Sequence, residues 1–181
     1  MKKFLGICMM FFFVFPAFSQ EKSGLEVIVN HYAARNFTTG DISRSDLDQI
    51  LQAGVRAPSA SNRQPWHFTV VRNQALAKRI VSNIVEGNVL VVISTAGGQR
   101  EFLDCALAAE NVYLAAQALG YGSRLYTGPI EALNQNLRGD VGLPSGHSAV
   151  ILVRVGRVQA GTDAVSAASA RKAANEVVSY K

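Results

Sequence analysis

The chain has 181 residues, 49% of them apolar and 17% charged, with a formal net charge of +5. That is the length of one domain, with ample material for a core. Its basic residues are scattered, with no run longer than Lys78-Arg79 or Arg171-Lys172, which excludes a nucleic-acid footprint and suits a small anionic ligand.

Met1-Lys2-Lys3 is a short basic start, Phe4 to Phe15 is an apolar run, and Ala17-Phe18-Ser19 follows with small residues. This is the layout of a secretory leader, and the run is short for a membrane span. Residues 1–20 are therefore expected to be cleaved and residues 21–181 to form one exported domain, periplasmic or extracellular, with no membrane attachment. An uncleaved anchor is the competing reading. Loss of Lys2 and Lys3 brings the formal charge to +3. Cys8 lies in the leader, which leaves Cys105 alone and rules out an intrachain disulfide. Cys105 sits in an apolar, alanine-rich stretch, where a buried inert thiol is expected.

Gly24 to Tyr32 reads as a short helix, and Ser43 caps the next, with Asp46 three residues on. That helix runs to the stop at Pro58. Trp66 to Arg72, rich in aromatic and β-branched residues, is a strand. Gln74 to Val85 is predicted helical, with Gly87 just past its end. Val89 to Thr95 is an unbroken apolar run, the pattern of a central strand covered on both faces. Arg100 to Leu119 is the longest helix, and its many alanines permit close helix contact. A strand at Ser123–Tyr126, a short helix at Ile130–Leu137, a turn at Gly142-Leu143-Pro144 and a last strand at Ala149–Val155 complete the core. Residues 159–170 have linker composition, and Arg171 to Lys181 resumes with charge and Val177-Val178. The mixture gives an α+β fold with helices on both faces of a sheet.

Side chains for hard chemistry are missing. There is no Cys-x-x-Cys, no His-x-x-x-His, no metal-spaced cluster and no Gly-x-Gly-x-x-Gly after the first strand. Ser145-Gly146-His147 near Asp140 lacks the strained nucleophile turn of a hydrolase. His67 falls inside a strand, where a core or hydrogen-bonded histidine is the default. No metal site and no catalytic side chain are predicted, so either the chain is no enzyme or a cofactor carries the reaction.

The most informative segment is Ala57-Pro58-Ser59-Ala60-Ser61-Asn62-Arg63-Gln64-Pro65-Trp66-His67-Phe68. Its prolines exclude helix and its small polar residues make a stiff loop offering hydroxyls, amides and bare backbone. The run resembles the flavin-binding loop of the FMN-dependent nitroreductase family. His31-Tyr32-Ala33-Ala34-Arg35-Asn36-Phe37 stands in the place of that family's basic N-terminal motif. Asp104 to Gly122 running into Arg124-Leu125-Tyr126-Thr127-Gly128, Leu143-Pro144, and the tail Arg171-Lys172-Ala173-Ala174-Asn175-Glu176-Val177-Val178 follow in the family's order.

The resemblance implies a mixed, mainly antiparallel sheet and a homodimer with exchanged C-terminal arms. It also implies FMN at the subunit interface, reduced by NAD(P)H or another donor and oxidised by a nitroaromatic, quinone or similar acceptor. By position, Pro58, Ser59 and Asn62 would face the flavin, from the partner subunit. Thr127 and Gly128 would offer a backbone N–H to flavin N5. His31, Arg35, Arg171 and Lys172 match positions that hold the phosphate, and Gln64 and Trp66 would anchor the loop. His31 and Ala33 replace the family's first Arg and its Ser, and the interval from Val71 to Val89 is short, which suggests an open site. A related flavin enzyme of dehalogenase or flavin-cleaving type, and a flavin-binding domain without turnover, are the alternatives.

Overall fold

The computed structural model describes residues 23–159 and 170–181. The expected leader and most of the linker lie outside the described residues. In chain order the elements are α1 (Gly24–Asn30), β1 (Phe37–Thr38), α2 (Arg44–Val55), a 3-10 turn (Ala60–Asn62), β2 (His67–Val71), α3 (Gln74–Ile80), β3 (Val89–Thr95), α4 (Gln99–Ala118) and β4 (Gly122–Tyr126). A continuous helical stretch follows, α5 (Ile130–Ala132), a π-turn (Leu133–Leu137) and α6 (Arg138–Val141), then β5 (Ser148–Val158) and, in the tail, α7 (Ala174–Val177). Among the described residues no helix is long and apolar enough to cross a membrane.

β5 organises the sheet. β3 lies along one side of it, with β2 beyond, while β4 and then β1 pair with its other side. Every ladder among these strands is antiparallel, so the expected α+β class with a predominantly antiparallel sheet holds. All seven residues of β3 are buried, as its unbroken apolar run required. Full burial of each valine or isoleucine there contributes about 1.5–3 kcal/mol. One face packs on α2 and α4 through Ile50, Val91, Ile93, Ala109 and Val112. The opposite face packs on α3 and α5–α6 through Ile80, Leu90, Val92, Leu133 and Leu152. Between Ile93 and Ser94 the β3–β5 register shifts, so Val150 is an extra residue on β5. Such a bulge bends the strand and turns its side chains.

The predicted Ser43 cap forms, its Oγ accepting from Asp46 N–H at 3.0 Å, and Ser23, not foreseen, caps α1 by accepting from Glu26 N–H at 3.1 Å. The Asp46 carboxylate accepts from the Tyr121 hydroxyl. That bond first, and Ser43 second, hold its carboxyl below the usual aspartate range. The helix predicted over Gln74–Val85 stops at Ile80. The chain turns there because tertiary contacts recruit it: Arg154, 2% exposed on β5, donates to Asn83 Oδ1 at 3.3 Å and to Asn88 Oδ1 at 2.9 Å. Gly87 therefore serves the turn before β3 instead of a helix end. Its φ is +83°, and a Cβ would strike the backbone of Gly40.

Arg154 is a buried cation with no carboxylate partner among the described residues. Two amides and the Phe37 ring, 3.9 Å from the guanidinium carbon, surround it. Burial lowers its proton affinity, and the adjacent Tyr126 hydroxyl opposes that.

Close contact between α2 and α4 rests on Gly54, where a Cβ would lie 2.7 Å from Val112 Cγ2 and 3.0 Å from the Phe68 ring. Gly54→Val is expected to lower unfolding stability by about 1–3 kcal/mol through overpacking. Urea titration checks this, and an unchanged midpoint would contradict the packing described.

Candidate functional site

The chemistry-bearing segments gather along α4. At its N-terminal end the Pro58–Gln64 loop is fastened by Asp104, a carboxylate 5% exposed, whose Oδ1 accepts from Ala60 N–H at 3.1 Å. The loop also closes on itself. Ser59 Oγ accepts from Gln64 N–H at 2.9 Å, and Gln64 Nε2 donates to Asn62 Oδ1 at 3.2 Å. Arg63, itself exposed, reaches the half-buried Glu101 at 3.7 Å, a long pair of small energetic weight. Ser61, Asn62 and Gln64 all have positive φ, between 49° and 54°. Three non-glycine residues held left-handed so close together are strain that the surrounding contacts sustain, a pattern concentrated at binding loops. Gln64 anchors the loop as expected. Ser59 and Asn62 each give an oxygen to that anchoring, so Ser59 keeps its hydroxyl proton and Asn62 its amide N–H groups for a ligand. Pro58 is exposed.

At the other end of α4, the Gln117 side chain grips the N-terminal segment. Its Oε1 accepts from Tyr32 N–H at 3.1 Å, and its Nε2 donates to Tyr32 O at 2.9 Å and to Ser123 Oγ at 2.8 Å. His31 lies beside Tyr113, their ring centroids 5.6 Å apart and the planes near perpendicular. Its Nδ1 meets Ile28 O at 2.6 Å, so Nδ1 carries a proton and Nε2 faces away. Burial raises the Tyr113 phenol above its ordinary value, while Gln117 and, more weakly, the Arg171 cation oppose the rise. Arg171 thus lies within electrostatic reach of the ring that His31 touches. Arg35 and Lys172 are exposed.

β4 joins this basic end to Thr127-Gly128. It starts beside the N-terminal segment, where Ala34 N–H donates to Ser123 O at 2.9 Å. Four residues on, about 13 Å at ~3.3 Å per strand residue, it reaches Thr127. Both Thr127 and Gly128 are exposed, and the space a Gly128 Cβ would fill is empty. Thr127 also borders a pocket of about 500 Å³ with walls from Phe102, Ile130 and Val150. A ligand with an anionic group at one end and a flat ring at the other fits this run of basic end, strand and open pocket.

One chain does not bring all the predicted residues together. His31, Arg35, Thr127, Gly128 and the Arg171-Lys172 tail share one protomer's surface. Pro58, Ser59 and Asn62 hang from the opposite end of α4: Asp104 and Tyr113 are nine residues apart, about 13 Å along the axis.

The histidine expected in the core or in hydrogen bonds, His67, is exposed at the start of β2, edge-on to His147 with centroids 5.9 Å apart. Position 67 opens the strand on its outer side, so burial never reaches it. His147 Nδ1 lies 3.4 Å from Ser94 Oγ, and Asp140 pairs with Arg79 at 2.6 Å, so no hydrolase triad forms. Among the described residues no three metal-ligating side chains cluster. Asp104, Tyr113 and Gln117 were not singled out for these contacts by sequence. Asp104 and Gln117 interrupt the buried face of an alanine-rich helix, and that was their visible signal.

A profile of the Nitroreductase family matches residues 28–90 and 81–157. An NADH dehydrogenase/NAD(P)H nitroreductase of Archaeoglobus fulgidus is 34% identical over 134 residues, covering 66% of this chain and 76% of that one. A similarly named protein of Methanothermobacter thermautotrophicus is 30% identical over 127 residues, covering 63% of this chain and 66% of its own. Among solved structures, a nitroreductase with bound FMN from Desulfitobacterium hafniense superposes with a TM-score of 0.74 at 20% identity, covering 87% of this chain and 97% of that one. The chain belongs to the nitroreductase family.

Burial first, then the nearby Asp104 and Glu101, pushes the Cys105 thiol up to about 11. Disulfide exchange needs the thiolate. Protein produced without residues 1–20, and so without Cys8, is expected at pH 8 to stay silent toward a chromogenic disulfide reagent when folded and to react with one equivalent on unfolding in guanidinium. Fast native-state reaction would contradict the inert assignment. A raised folded-state value also means that this thiol's contribution is intact below the unfolded thiol range and is lost as pH rises through about 11.

Proposed function

We propose that the protein is an exported FMN-dependent oxidoreductase acting as a homodimer. The observation that carries this reading is the arrangement along one strand: a basic end at His31, Arg35 and Arg171-Lys172, and an open backbone edge at Thr127-Gly128. Arg35, Arg171 and Lys172 would hold the phosphate through charge-assisted hydrogen bonds. The backbone of Thr127-Gly128 would meet the ring edge. When bound, FMN supplies the redox chemistry, accepting hydride from a reduced nicotinamide and passing two electrons with protons to a nitroaromatic or quinone. The chain's own residues fix the ring and shield it. Relatives bearing the names NAD(P)H nitroreductase and structures with bound FMN support the reading. The leader-like residues 1–20 support export.

The separation found along α4 supports the dimer reading. Two α4 helices packed antiparallel about a two-fold axis would set the Pro58–Asn62 loop of one protomer beside the basic end of its partner. The surface that such packing needs is present: Leu103 and Leu107 on α4 are 69% and 46% exposed, with Leu25, Ile28 and Val29 of α1 close to the same degree. Apolar exposure on this scale marks an interaction surface.

Protein expressed from the full chain is expected to purify yellow, with flavin absorbance bleached by NADH or NADPH without air. Arg35→Ala and Arg171→Ala should each weaken FMN binding about 10-fold to 100-fold, the worth of a charge-assisted bond of about 1.5–3 kcal/mol. Unchanged affinity in both would refute the phosphate assignment. Light scattering should give the mass of two chains. Leu107→Glu should yield monomers that lose flavin, and a flavin-retaining monomer would refute the shared site.

A further inference from the structure

The pocket beside Thr127 has a mostly apolar lining with few polar groups. Its walls are the ring of Phe102, Ile130 and the bulged Val150. The volume of about 500 Å³ admits one or two fused rings. Its polar edge is more restricted than its residue types suggest. The Asn134 side chain is consumed by the backbone of β5: Nδ2 donates to Ala149 O at 2.9 Å and Oδ1 accepts from Ala149 N–H at 2.8 Å. Gln135 Nε2 is committed to Glu131 Oε1 at 3.2 Å, one helical turn away. What remains for a ligand is the hydroxyl groups of Thr127 and Ser148, the Oε1 and second N–H of Gln135, all uncharged, and the Glu131 carboxylate. No lysine, arginine or histidine is among the lining residues.

We propose that this pocket is the acceptor subsite and that it takes uncharged aromatic acceptors and turns away anionic ones, with Glu131 as the residue that sets the preference. The inference rests on the oxidoreductase reading, since it places the pocket next to the ring edge at Thr127-Gly128. An anionic substituent would enter an apolar chamber facing a fixed carboxylate, with no cation to compensate its lost hydration. A neutral quinone or nitroarene would bury ring surface against Phe102, Ile130 and Val150 and use the two hydroxyl groups as hydrogen-bond partners. The donor can share the chamber by inserting only its uncharged dihydronicotinamide ring, its phosphates staying outside. The bond from Gln135 holds the Glu131 carboxylate at the rim. The α5 turn that carries Glu131 is braced from below by Leu133, 1% exposed, in the second core cluster.

The test uses the FMN-loaded protein and two probes of similar ring size, 1,4-naphthoquinone and 1,2-naphthoquinone-4-sulfonate. Equilibrium dialysis without donor gives their dissociation constants, and turnover with NADH gives their kcat/KM. The wild type is expected to favour the neutral probe about tenfold in both measures. Glu131→Gln should narrow the ratio about threefold, and Glu131→Lys should erase or invert it. Because Glu131 is exposed, the discrimination should also shrink as salt rises from about 20 mM to 500 mM, as screened charge repulsion must. Equal affinity of the wild type for both probes, or a ratio that neither variant nor salt moves, overturns the inference. If Glu131→Lys misfolds, the Gln variant and the salt series still decide. A protein that takes up no FMN defeats the oxidoreductase reading itself. One that takes it up and reduces both quinones with a fixed ratio defeats only the charge selection.

Discussion

The site depends on α4 being locked to two irregular segments by two buried polar side chains. Asp104 and Gln117 both lie on the inward face of that helix, 5% and 8% exposed, and neither can be left without partners at that depth. Asp104 answers this with the Ala60 amide, and Gln117 with both backbone groups of Tyr32 and the Ser123 hydroxyl. Buried amides and carboxylates that are hydrogen-bonded fix geometry more sharply than apolar packing, which tolerates sliding. The Pro58–Gln64 loop and the His31–Phe37 segment have almost no regular structure of their own. They take their places because the helix dictates where their backbones must go.

The sheet supplies the second half of the frame. Because β5 carries β3 on one side and β4 then β1 on the other, the segment ending in β1 and the strand leading to Thr127 lie along the same edge. Arg154 sits between them on the buried face, against Phe37 of β1 and close to Tyr126 of β4. A guanidinium held by amides and an aromatic face, with no carboxylate among the described residues, leaves net positive charge inside the protein. The bulge at Val150 then bends β5 just where the pocket opens. Binding surface, pocket and basic end are thus consequences of one strand's pairings.

Much of this was legible in the sequence. The fully buried β3 was announced by its unbroken apolar run, and the cap of α2 by Ser43. The stiff loop was marked by Pro58 and Pro65, and α4 by its alanines. The Cys105 assignment agrees with a buried thiol whose proton affinity is raised. What escaped sequence reading was long-range. His67 was expected in the core or in hydrogen bonds because it falls among strand formers, yet it stands at the strand's exposed start. The helix after Asn73 ended early because an arginine some 70 positions later draws on Asn83 and Asn88. Nothing local to residues 80–88 carries that information.

Local pattern alone determined most of the stretches that are helix or strand and which faces are apolar. Those properties depend on residue type and short spacing, and short spacing is what a sequence displays. Tertiary structure alone decided that Asp104 and Gln117 hold the Pro58 loop and the His31–Phe37 segment at opposite ends of α4, about 13 Å apart between the anchor at Asp104 and the His31 contact at Tyr113. It also decided that a pocket lined by Phe102, Ile130, Glu131 and Val150 opens beside Thr127. Each of these joins residues distant in the chain, and only the packing of helices on a sheet fixes such distances.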